Sequence, residues 1–284
     1  MENQKNSAMQ RRGMALASGL LAALVWMPNA QAASTWTLDS NCSSNCVQTD
    51  GTVTAAAYST SLTGGSNFAA APGLTGYSGG GLGVNQEGTG VPNHAMDNQG
   101  NLEMILLQFT QAVTLNSLNI GWADYDSDIT VMAYQGPVTT NTSAAAGATV
   151  TAKNISNLKT TAGSTGWNLV GSYANVGVGS AAINASNLSS SWWLVSAYNS
   201  TIGGSVTGAD DGTGNPTTAN GSSPTTAEAT AYRNSGYDYV KLFSVTGAKS
   251  SVTTNGSTVP EPGSLALAGM ALFGLFYSRR KRSV

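Results

Sequence analysis

Between residues 33 and 258 no stretch sustains apolar residues at helical spacing for more than two turns, so the core cannot be built from amphipathic helices. The apolar residues fall instead in short runs, at 36–38, 52–58, 102–109, 113–120, 129–134, 167–173, 192–198 and 237–245, separated by Asn, Gly, Asp and Pro. Runs of that length between turn-forming residues predict strands. Leu118 and Ile120 alternate with Asn119, and Ile129, Val131 and Ala133 alternate with Thr130, Met132 and Tyr134, which predicts a hairpin across the intervening acidic turn. The expected fold is mainly β, an antiparallel β-sandwich or jelly roll. Segments 143–152 and 201–234, rich in Gly, Thr, Ala and Asn, are expected to be long loops.

Charged residues make up only 9% of the 284-residue chain, and glycine occupies 34 positions. That composition excludes a highly charged soluble helix bundle. Residues 33–258 carry twelve carboxylates against five cationic side chains, so no basic patch exists to neutralise phosphates. Nucleic acid is therefore not an expected partner.

Both ends of the chain are specialised. Arg11 and Arg12 precede an apolar run from Met14 to Trp26, then Pro28 and the small-x-small triplet Ala30-Gln31-Ala32. These are the three regions of a secretory signal peptide, residues 1–32, cut by signal peptidase after Ala32. Gly13-Met14-Ala15 lacks the remainder of a twin-arginine motif, so ordinary Sec export is expected. At the other end, residues 259–284, Val259-Pro260-Glu261-Pro262 is followed by an apolar run from Leu265 to Tyr277 and by Arg279, Arg280, Lys281 and Arg282. The prolines keep the motif extended, and the basic cluster stays on the cytoplasmic side of the inner membrane. A single hydrophobic helix over 263–278 would be about 24 Å long, short of the roughly 30 Å hydrocarbon core, which suits a temporary anchor.

Motif, span and basic end together resemble the PEP-CTERM sorting signal of Gram-negative, exopolysaccharide-producing bacteria, which is read by the membrane protease exosortase. The resemblance implies processing at Val259–Pro262, a transient inner-membrane intermediate, and delivery to the cell surface or extracellular matrix. The body, residues 33–258, is also similar to exosortase-dependent surface proteins through Asn93-His94-Ala95-Met96-Asp97-Asn98, Leu118-Asn119-Ile120-Gly121-Trp122, Trp193-Leu194-Val195-Ser196-Ala197-Tyr198 and Tyr237-Asp238-Tyr239-Val240-Lys241-Leu242. That group is defined by sorting and implies no catalytic role.

Cys42 and Cys46 are the only cysteines, and in an exported chain they are expected to form a disulfide across the Ser43-Ser44-Asn45 turn. Asp124, Asp126 and Asp128 alternate in one turn. They read either as a solvated acidic turn, the expected outcome, or as hard oxygen ligands for calcium, with Asp97 and Asn98 forming a second polar loop nearby. Ile129 stands where an EF-hand needs glycine, and Gln135 where it needs glutamate. His94 is the only histidine and no Gly-x-Ser-x-Gly elbow occurs; a Glu87 and Glu103 acid-base pair has no geometry in sequence alone. No enzymatic activity is expected. A structural or matrix protein leads, with exopolysaccharide binding as the alternative, through ring faces drawn from Trp122, Trp167, Trp192, Trp193, Tyr198, Tyr237 and Tyr239. Adjacent Trp192 and Trp193 point to opposite faces of a strand, so one of them is expected outside the core.

Overall fold

A computed structural model describes residues 32–38, 46–47, 52–63, 65–86, 94–161, 164–205 and 237–250. The chain divides into Met1–Ser250 and Ser251–Val284; the second unit, with the sorting tail and the expected apolar helix, lies outside the described residues, as do residues 1–31 of the signal peptide and Cys42. No helix among the described residues is long and apolar enough to cross a membrane.

The described body is mainly β and antiparallel. Its organiser is β8, Asn101–Tyr125, which unites the two runs 102–109 and 113–120 in one 25-residue strand. At 3.3 Å per residue a straight strand of that length would span about 80 Å. A domain of roughly this size has a radius of gyration of about 17 Å, so such a strand cannot run straight. It changes partners on either side of Val113. Residues up to Phe109 pair with β3, Val53–Ser61, and residues up to Val113 with β12, Ser190–Ala197. From Val113 onward it pairs with β13, Asp238–Lys249, and also with β11, Gly179–Ala182.

The remaining strands extend this frame. Beyond β12 lie β9, Ile129–Tyr134, and β10, Trp167–Tyr173. Beyond β13 lie β1, Ser34–Thr37, β6, Gly81–Val84, with its partner β5, Leu74–Tyr77, and β7, Met96–Asp97. The short strands β2, Cys46–Val47, and β4, Ala69–Ala70, flank β3. All thirteen are hydrogen-bonded into one sheet. The expected hairpin between the end of β8 and β9 is not formed: β9 pairs with β10 and β12, while the end of β8 stays with β13. The acidic turn carries the chain across the sheet instead of folding it back.

Burial explains the pattern. Residues 102–107 are buried on both faces, so the first half of β8 reads as an apolar run interrupted only by Glu103. Ile105, Leu107 and Phe109 join Leu118, Ile120, Trp193 and Val245 in one core, whereas Met104 and Leu106 join Trp167, Trp192 and Leu194 in a second. In the second half only one face is buried: Val113, Leu115, Leu118 and Ile120. The step of three between Leu115 and Leu118 coincides with a register shift against Thr246 and Gly247, an extra residue that rephases the alternation.

Two expectations are corrected here. Segment 143–152 is not a loop: α1, Ser143–Thr151, buries Ala146, Gly147 and Val150, the first and last of them in the second core. Thr142 caps it by accepting from Ala145 N at 3.2 Å, and its small residues allow close approach to the sheet; a Cβ on Gly147 would lie 2.2 Å from the Tyr58 hydroxyl. Trp192 and Trp193 do point to opposite faces, yet both are buried because both faces are covered. The start of the second expected loop is also ordered, as the four-residue helix α2, Ser200–Gly203; residues 206–236 lie outside the described part.

Trp193 fills the first core with its indole N–H donated to the Ser190 carbonyl at 2.9 Å. Trp193→Ala is expected to destabilise the body by about 3–5 kcal/mol. Thr142→Ala, which removes only the cap, is expected to cost about 1 kcal/mol. Urea unfolding of both variants checks the ranking.

Candidate functional site

The end of β8, the turn into β9 and the start of β13 meet at one place. Asp126 and Asp238 form an isolated bridge, Tyr239 N donates to Asp126 O at 3.0 Å, and Tyr198 N donates to Asp128 O at 3.0 Å. These backbone bonds draw Asp126, Asp128 and Asp238 together, all three buried, with one carboxylate oxygen from each within 4.8 Å of the others. The expected solvated turn is therefore corrected: crossing the sheet places its carboxylates between β13 and the segment after β12. Asp124 is not part of the trio; it is half-buried and pairs in register with Tyr239.

Each carboxylate is held. Asp238 accepts from Asp128 N at 2.7 Å and from the Asn98 side-chain amide at 2.7 Å. Asn98 also donates to the Tyr198 carbonyl and accepts from Asp238 N at 2.9 Å, so the polar loop after His94 reaches the acidic turn. Asp128 accepts from Asn175 N at 2.6 Å, and Asp126 from Ser127 N at 2.8 Å. Burial, then the charges of Asp126 and Asp128, push the Asp238 carboxyl well above the usual carboxylate range, against the pull of the Asp128 amide and Asn98. Oxygens at this separation can share one hard cation, because calcium sits 2.3–2.6 Å from its ligands.

Glu103, fully buried on β8, accepts from Gln86 N at 3.2 Å and Asp97 N at 3.1 Å, which ties the ends of β6 and β7 to the central strand. Glu87, its partner in the acid-base pair considered from sequence, lies outside the described residues. Cys46 belongs to β2, but with Cys42 undescribed the expected disulfide lies outside the described part.

A second cluster lies on the other side of β13. Lys241 is 5% exposed, and its ammonium lies 3.9 Å from the Tyr77 ring centroid and 4.4 Å from that of Trp122, its register partner on β8. Burial pulls its pKa from 10.5 down to about 8. His94 stacks on Tyr77 with centroids 6.3 Å apart and planes at 14°. Its Nδ1 is buried without a hydrogen-bond partner among the described residues. A left-handed backbone at His94 and the absence of a side chain on Gly83 permit this approach, since a Cβ there would lie 1.7 Å from the His94 carbonyl. Of the rings proposed for sugar stacking, Trp167, Trp192, Trp193 and Tyr239 are buried, while Trp122, Tyr198 and Tyr237 are half-buried.

Sequence reasoning missed Asp238, Tyr77 and Lys241 as site residues. The available signal was a charge inside an apolar strand: Asp238 and Lys241 interrupt an otherwise apolar and aromatic run. A charged residue in a two-sided buried strand needs a partner from elsewhere in the fold.

Two outcomes follow from these environments. Calcium added to the chelated chain is expected to raise its melting temperature, and Asp238→Asn to remove the rise; identical melts with calcium and chelator would make the trio a hydrogen-bonded polar core only. Between pH 8 and 10 the unfolded chain keeps the Lys241 proton that the folded chain loses, so this group makes the body more stable as pH rises through that window. Lys241→Met is expected to flatten that slope in denaturation curves measured at pH 8, 9 and 10.

Comparison with known proteins bears on the tail and leaves the body without a counterpart. No curated protein and no solved structure matches the chain significantly. Residues 258–282 match the family model of the PEP-CTERM protein-sorting motif; the chain carries that motif, which implies export and sorting to the cell surface by exosortase.

Proposed function

We propose that the protein is a non-enzymatic structural component of the cell surface or biofilm matrix of a Gram-negative bacterium. Signal peptidase removes residues 1–32 after Ala32, the apolar run from Leu265 to Tyr277 holds the chain in the inner membrane, and exosortase releases the body at Val259–Pro262. The observation that carries the reading is the sorting motif at residues 258–282, joined to a β body whose large side chains are mostly committed to two cores. The body is read as a sheet folded upon itself in the manner of a sandwich or jelly roll. Support comes from the first core, which gathers residues from both halves of β8. Calcium at Asp126, Asp128 and Asp238 would act as a brace for that body, since these residues come from two distant parts of the chain.

Mass spectrometry of surface material from a host with the sorting machinery is expected to find a chain that starts near Ala33 and ends near Pro260. Replacing Pro260, Glu261 and Pro262 with alanine is expected to leave the protein in the inner membrane with residues 265–284 attached. Recovery of the intact tail from the extracellular fraction of the unmutated protein would overturn the reading.

A further inference from the structure

We infer that Lys241, Tyr77 and Trp122 form a binding site for the anionic group of an acidic saccharide. Three observations carry it. The Lys241 stem is buried, and its ammonium lies over the Tyr77 and Trp122 rings with no hydrogen bond or ion pair to it among the described residues. The stem is buried while the ammonium rests on the ring faces at the edge of solvent, where an incoming carboxylate or sulfate can take N–H donors that otherwise face water. Tyr77 and Trp122, whose rings carry that charge, are themselves half-buried rather than sealed in a core. Aromatic faces next to a fixed charge supply the two features a charged sugar presents, an apolar C–H face and an anion. The neighbouring His94, with Nδ1 buried and unmatched against Tyr77, adds a further polar atom at the same ring.

Structural roles alone would not favour lysine here. A lysine that merely linked the β5–β6 hairpin to β13 would be replaceable by methionine, which keeps the stem packing over the rings. The proposal rests on the surface location read above only for the presence of such saccharides; the site itself lies wholly in the body.

The test uses the mature chain recovered from the surface of its host, titrated with an oligogalacturonate, a sulfated oligosaccharide and a neutral oligosaccharide of equal length, followed by calorimetry. An acidic oligosaccharide is expected to bind at least tenfold more tightly than the neutral one, with affinity falling as salt rises. The stronger of the two acidic ligands identifies the anion. Lys241→Met is expected to weaken binding at least tenfold, with Lys241→Arg intermediate. Equal affinity for the neutral ligand, no binding of either acidic one, or unchanged affinity in Lys241→Met would overturn the site. Where the methionine variant fails to fold, the ammonium of Lys241 in 15N-lysine-labelled native protein gives the same decision: its resonance is expected to shift on ligand addition, and a resonance that stays in place at saturation refutes the contact. A chain that keeps its tail would refute the sorting reading while leaving this titration intact.

Discussion

A strand too long to run straight through a domain of this size governs the architecture. β8 passes from one group of partners, β3 and β12, to another, β13 and β11, and every other strand docks on one of these or on its neighbour. The switch near Val113 follows from length: the pairing edges offered by a bent strand point in different directions on either side of the bend. Extra residues at the register shifts against β13 keep apolar side chains on the buried face after each irregularity. Without them the alternation would deliver polar residues to the core from that point onward.

The polar chemistry of the body is a by-product of the same path. Because β8 stays with β13 to its end, the turn that follows must cross the sheet to reach β9, and it carries Asp126 and Asp128 inward against Asp238. Burial first, and then the like charges beside it, hold the Asp238 carboxyl well above the usual carboxylate range. Asn98, donating to Asp238 and to the Tyr198 carbonyl, joins the loop before β8 to the start of β13 and to the segment after β12. On the other side of β13, Lys241 is held between rings from β5 and β8. The two clusters are thus positioned by one strand, three residues apart along it.

Strand positions were legible where period and burial agree. Ile129–Tyr134 and Trp167–Tyr173 fall where the apolar runs place them, because each is a short run bounded by turn residues. The helix over Ser143–Thr151 was not legible: Ala, Gly, Ser and Thr give no amphipathic contrast, and its burial depends on small size against Tyr58 and the second core. Nor could sequence decide whether Trp192 or Trp193 stays outside, since a strand covered on both faces buries both.

The sequence by itself determined the address and the class of fold. The sorting motif is contiguous, and strand periodicity is a property of neighbours in the chain, so both survive without knowledge of any distant contact. Tertiary structure alone decided which side chains share a site. Asp126 and Asp238 are separated by 112 positions yet form a bridge, and Lys241 meets a tyrosine far earlier in the chain. Pairings of that kind are set by strand order and register, which depend on how the whole sheet closes its apolar faces, and a local pattern carries no record of them.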